Sequence, residues 1–153
     1  MKETKKAVWF KGDQKIECNI NSLIKSISNL GTHYSGVTGL MKGITRAELV
    51  EQGIDFVTIK TNEGIMKRTG IKVQGDKEKV TVEFDEEYKA GKTITTNSHF
   101  KEEFNSTSSG ITFSLEISNL AAPGLMGFFY RNFGNKNIGN AFLDSSRLYL
   151  ENI

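Results

Sequence analysis

The stretch Gly110–Ile153, GITFSLEISNLAAPGLMGFFYRNFGNKNIGNAFLDSSRLYLENI, decides the fold, because its hydrophobic period changes partway along. Ile111, Phe113, Leu115 and Ile117 alternate with Thr112, Ser114, Glu116 and Ser118, the pattern of a strand with one buried and one wet face. Beyond Ala121 the period becomes helical. Met126, Tyr130, Phe133, Asn137, Ile138, Ala141, Phe142, Ser145, Leu148 and Tyr149 fall on one broad arc, opposite Asn132, Asn135, Lys136, Gly139, Ser146 and Arg147. Pro123 suits a first helical turn, where its missing N–H costs nothing. The spacing predicts a closing strand followed by one long amphipathic helix over 121–152.

Upstream of this stretch the chain reads as a run of hairpins. The segments 44–50, 54–60, 65–73, 80–88, 92–104 and 111–118 are rich in β-branched and aromatic residues. Between them lie EQG, TNEG, QGDKE, KAG and NSTSSG, each short and each carrying glycine. Links this short make neighbouring strands antiparallel, since a parallel crossover needs a dozen residues or more. Val80, Val82 and Phe84 face one way, against Thr81, Glu83 and Asp85.

The N-terminal part predicts a strand over about 5–18, with Val8, Phe10, Ile16 and Cys18 on one face and Gly12-Asp13 as a bulge or break. Asn19 or Asn21 then caps a helix carrying Leu23, Ile24, Ile27 and Leu30, which Gly31 stops in a left-handed conformation. A second short helix or turn covers 32–37. The expected order is β-α-α-β6-α: an α+β chain whose seven-stranded antiparallel sheet curves around the C-terminal helix. A helix of about 28 residues spans roughly 42 Å, and a strand such as Lys92–Phe104 roughly 40 Å. A straight helix on a curled sheet cannot touch it everywhere, so the gap is filled by large side chains or left as a cavity.

This order resembles the START/Bet v 1-like (SRPBCC) superfamily of polyketide cyclase/dehydrase and lipid-transport type. The resemblance spans 1–153 as one domain. It rests on the paired short helices in NINSLIKSISNLGTHYSGVTG, the run of hairpins and the closing strand and helix quoted above. It implies a helix-grip fold with a pocket for a small hydrophobic ligand between helix and sheet, and it leaves activity open, because a fold does not fix a function.

Composition bounds the alternatives. The chain has 153 residues and a formal net charge of +2, which argues against a general nucleic-acid surface. The basic cluster Lys2, Lys5 and Lys6 reads as solvated, with a phosphate contact as its functional alternative. One cysteine, Cys18, excludes an internal disulfide and reads as a core residue. No signal-peptide pattern and no membrane-length apolar run occurs, so a cytoplasmic protein, monomer or homodimer, is the expectation.

Few residues offer chemistry. His33 and His99 are the only histidines, and no spacing suits a metal, so no metal or cofactor is expected. GVTGLMKG (36–43) lacks the Lys-Ser/Thr of a phosphate-binding loop and reads as a joint between helix and sheet. His33 reads as a loop residue near the pocket mouth. His99 faces solvent by alternation, and only a bulge would turn it inward. Tyr130 and Asn137 sit on the apolar arc, where each needs a partner from the sheet or from a ligand. Arg46, Glu48 and Arg68 lie where alternation does not settle direction. They read either as solvated charges or as an inward Arg–Glu pair that could orient a carboxylate or enol.

The expected ligand-binding set is Met126, Tyr130, Phe133, Asn137, Ala141, Phe84, Phe100, Phe113, Leu115, His99 and Arg68, with no catalytic residue assigned. A cyclase/dehydratase-like enzyme is the alternative and would draw an acid/base pair from His99, Tyr130, Glu48 or Arg68. A protein- or ribosome-interaction module, acting through its outer face, is the third reading.

Overall fold

A computed structural model describes residues 7–92, 94–124 and 134–153. Strand β1 (Val8–Ile16) is followed by helices α1 (Ile20–Ile27) and α2 (Leu30–Gly39). Six strands come next: β2 (Ala47–Gln52), β3 (Val57–Thr61), β4 (Gly64–Gly75), β5 (Lys79–Ala90), β6 (Ile94–Thr107) and β7 (Gly110–Ala121). Helix α3 (Asn135–Glu151) follows. The strands form one sheet in the order β1-β7-β6-β5-β4-β3-β2, and every neighbouring pair is antiparallel. The hairpin reading therefore holds. The meander β2 to β7 is extended by β1, which adds beyond β7 and leaves β1 and β2 as the two edges.

Alternation sets the buried face. On β5, Val80, Val82, Phe84 and Glu86 point inward, and on β6 so do Thr96, Ser98, Phe100, Glu102 and Phe104. Register shifts interrupt the described ladders in four places; one lies between Leu49 and Glu51 on β2, and the other three bear on the rest of the sheet. Between Val8 and Phe10 one extra residue on β1 turns Val8 outward, to 53 % exposure, and brings Trp9 against the core. This corrects the expected placement of Val8 beside Phe10, while Gly12-Asp13 passes through the strand unbroken. On β4, Gly70 takes φ +61 where Thr69 and Lys72 lose register against β5. Arg68 and Ile71 are thereby both buried, though they differ in parity. On β7, Asn119 (φ 56) holds the third irregularity and exchanges hydrogen bonds with Ala7.

The helix boundaries differ from the expectation for local reasons. Asn19 caps α1 by accepting from the Asn21 amide at 2.7 Å. The helix ends at Ile27, before Gly31. Asn29 then accepts from the Thr32 amide and starts α2, so Gly31 lies inside the second helix. There the Gly31 amide donates to Gln52 Oε1 at 3.0 Å, and a Cβ at Gly31 would lie 2.5 Å from Leu49. At the other end, β7 continues through Ala121, so the strand occupies the expected first residue of the final helix.

Helix α3 lies against β1 and α2. Two glycines bring it close. A Cβ at Gly139 would sit 2.3 Å from the Phe10 ring, and one at Gly36 would sit 2.3 Å from the Tyr149 ring. These ring-on-glycine contacts hold α3 toward the β1 edge and α2. The inner surface of β3, β4 and β5 lies beyond them.

Candidate functional site

A cavity of about 820 Å³ opens on that side of α3. Thr38, Leu40, Met41 and Ile44 line it from the end of α2 and the loop that follows. The sheet contributes Thr61, Met66, Glu86, Tyr88, Ala90 and Ile94, and α3 contributes Asn137, Ile138, Ala141, Phe142, Ser145 and Leu148. The lining is mainly aliphatic and aromatic. Its charged members are Lys42, Glu63, Glu86 and Asp144. Of these only Glu86 is buried.

Beside Glu86, among the buried side chains of the inner face, lies an ionic and aromatic cluster. Arg68 is 2 % exposed, and its Nε and Nη2 both meet Glu86 Oε2 at 3.0 Å. Its guanidinium lies 4.5 Å from the Phe84 ring centroid, 4.7 Å from Tyr34, 5.1 Å from Phe100 and 5.5 Å from Phe142. Aromatic faces attract a cation through their quadrupole, and desolvation strengthens the attraction. Phe84 and Phe100 stack at 5.1 Å, and Phe142 from α3 meets Phe100 edge-on at 5.2 Å.

Tyr34 Oη donates to Glu102 Oε1 at 2.5 Å. The cluster therefore sets two buried carboxyls against one cation. Burial raises the pKa of both, and the Arg68 charge opposes that rise in each. The Tyr34 hydroxyl is pushed well above its ordinary range, chiefly by burial and next by the Glu102 charge. His33, 2 % exposed, shares a 2.8 Å hydrogen bond with Ser26 Oγ. Burial, with a smaller contribution from Arg68, pulls its pKa down to about 3, so it is neutral at pH 7.

Of the residues expected at the site, Asn137 and Ala141 line the cavity. Phe84, Phe100, Phe113 and Leu115 face inward but are packed into the core, each at 2 % exposure or less, and none lines the cavity. Phe113 stacks on Phe104 at 4.6 Å. Arg68 is buried, pairs with Glu86 and does not line the cavity. His99 lies on the outer face, where Nδ1 meets Asp85 at 2.9 Å and Nε2 meets Glu83 at 3.0 Å. No bulge turns it inward, which corrects its inclusion in the binding set. Met126, Tyr130 and Phe133 lie outside the described residues. Arg46 and Glu48 pair on the surface at 3.6 Å. His33 belongs to the buried face of α2 rather than to a loop.

Glu86 and Glu102 were missed in the sequence, although their signal was present. Each shares the parity of its strand's apolar residues, Glu86 with Val82 and Phe84, Glu102 with Phe100 and Phe104. A carboxylate on the apolar parity of a strand is the mark of a buried, partnered charge.

No family model and no curated protein matches this sequence. Solved structures do match in fold. A STAR-related lipid transfer protein from Xanthomonas axonopodis aligns at TM-score 0.58 and 11% identity, covering 92% of this chain and 84% of that one. The di-domain ARO/CYC BexL of the BE-7585A biosynthetic pathway aligns at TM-score 0.56 and 10% identity, over 93% of this chain and 49% of its own. A hypothetical protein, jhp0584, from Helicobacter pylori aligns at TM-score 0.60 and 10% identity, over 92% and 86% of the two chains. Identities this low establish a common fold, the START/Bet v 1-like helix grip. Among the described residues no helix is long and apolar enough to cross a membrane.

Proposed function

We propose, with the START/Bet v 1-like helix grip as premise, that this protein binds a small hydrophobic molecule in the cavity between α3 and the sheet. The observation that carries this reading is the cavity itself. At about 820 Å³ it falls within the range of small-molecule sites, roughly 300–1,000 Å³, and it shares their mainly apolar lining with a few polar groups. Carrier or sensor action needs no further chemistry. Titration with the neutral fluorophore N-phenyl-1-naphthylamine tests the reading. Saturable enhancement, abolished by Ala141→Trp in a protein that still folds, is the expected result. Enhancement that is absent, or unchanged in Ala141→Trp, would contradict it.

A second reading, a cyclase/dehydratase-like enzyme, draws on one observation: a carboxyl with a pKa raised by burial, Glu86, stands at the cavity wall. A carboxyl so placed is a candidate proton donor or acceptor for a molecule in the cavity. Of the acid/base suppliers expected from sequence, His99, Glu48 and Arg68 do not line the cavity, and Tyr130 lies outside the described residues. The carrier reading therefore stands first.

A further inference from the structure

The polar end of the cavity has a sign. Among the described residues Arg68 is the only cation in the buried cluster. Rings surround its guanidinium, it is 2 % exposed, and its two bonds to Glu86 converge on Oε2. Glu86 lines the cavity and Arg68 does not. Among the described residues that line the cavity, Glu86 is the only buried charged one, and a buried carboxylate is costly unless donors reach it. Among the described lining residues the exposed Glu63 and Asp144 outnumber Lys42. The cavity therefore offers an incoming polar group an acceptor in a negative field.

We propose that Glu86 selects, among hydrophobic molecules, those ending in a hydrogen-bond donor (an alcohol, a phenol or an amine) and rejects those ending in a carboxylate. The inference rests on the reading that the cavity holds a hydrophobic ligand. It adds what the head of that ligand must be. A hydroxyl or amine donates to the Glu86 carboxylate while its apolar body fills the space beside Met66, Ile138 and Phe142. A fatty-acid anion would set a second carboxylate against Glu86 in a poorly screened site, where like charges a few ångströms apart repel strongly. The direct contact of Glu86 with Arg68 favours its ionised form, whereas Glu102 receives a neutral phenol.

The test is displacement of N-phenyl-1-naphthylamine by decanol, decylamine and decanoate at pH 7.5, three probes of one chain length and different heads. Decanol and decylamine should each compete at least about tenfold more strongly than decanoate, since one repulsive contact of this kind exceeds a tenfold step. Glu86→Gln should reduce that preference to within about threefold, and Glu48→Gln, exposed and outside the cavity, should leave it standing. Competition by decanoate as strong as by decanol in the wild type overturns the inference without needing any variant. So does a preference that survives Glu86→Gln or disappears in Glu48→Gln. If the fluorophore itself does not bind, the ligand-binding reading fails and takes this inference with it. If the fluorophore binds but the three heads compete alike, only the selectivity falls.

Discussion

Arg68 and Glu86 meet through two nitrogens on a single oxygen, Nε and Nη2 each 3.0 Å from Oε2, in a site where both residues are almost wholly buried. A buried pair like this adds little net stability while intact, but losing one partner strands a charge. Arg68→Met should therefore destabilise the fold by about 3–5 kcal/mol, read as a lower urea midpoint. Adding Glu86→Met should recover part of the loss, with a coupling of about 1–3 kcal/mol in the double-mutant cycle. Strictly additive losses would mean that the pair does not act as a unit.

His33 sets an acid limb on stability. Its folded pKa, about 3, lies below the ordinary 6.5, so between these values the unfolded chain binds more protons than the folded one. Stability from this residue is present above pH 6.5 and is lost as pH falls toward 3. At pH 5 the loss is roughly 2 kcal/mol at about 1.36 kcal/mol per pKa unit. In His33→Gln the urea midpoint should fall less steeply from pH 7 to pH 5 than in the wild type. Parallel slopes would argue against a buried neutral imidazole.

Glu102 acts in the opposite sense. Its folded pKa is raised, mainly by burial, so the folded state holds the proton in the window above the ordinary 4.5. Its contribution is fully present below pH 4.5 and is lost as pH rises through the folded pKa. Glu102→Gln keeps an acceptor for Tyr34 and has no proton to lose. Relative to the wild type it should gain stability as the pH rises above 4.5, as followed by thermal midpoints. A constant difference across that range would show that Glu102 keeps one protonation state.

Two glycine substitutions separate contact from helix propensity. Alanine favours a helix by up to about 1 kcal/mol over glycine. At Gly139 its Cβ would collide with the Phe10 ring at 2.3 Å, so Gly139→Ala should destabilise by about 1–3 kcal/mol through overpacking. At Gly39 the nearest atom is Ala47 Cβ at 3.7 Å, an ordinary contact, and Gly39→Ala should be neutral or stabilising. Equal effects at the two sites would mean that α3 does not rest on Phe10.

The hairpin order was legible because short glycine-bearing links leave antiparallel neighbours as the only option, and because β5 and β7 alternate cleanly. Bulges were not legible. One extra residue at Trp9 turns Val8 outward with no local composition to announce it, and the parity reset at Gly70 hides the direction of Arg68. The site was half visible. Asn137 and Ala141 follow from helical periodicity, but Phe113 and Leu115 share the inward face and serve the core instead, since facing inward does not distinguish filled space from empty. Glu86 was overlooked because a charge in sequence reads as solvated until its partner is known, and Arg68 lies on a neighbouring strand.

Methyl NMR of the protein titrated with decanol tests the central claim most directly, because it locates the ligand. Resonances of Met66, Met41, Ile138 and Ala141, which line the space between α3 and the sheet, should shift in a saturable way. Those of Val57 and Ile111, buried elsewhere in the core, should stay fixed. Shifts confined to the exposed Val50 and Ile54, or no saturable shift at all, would contradict an internal binding site.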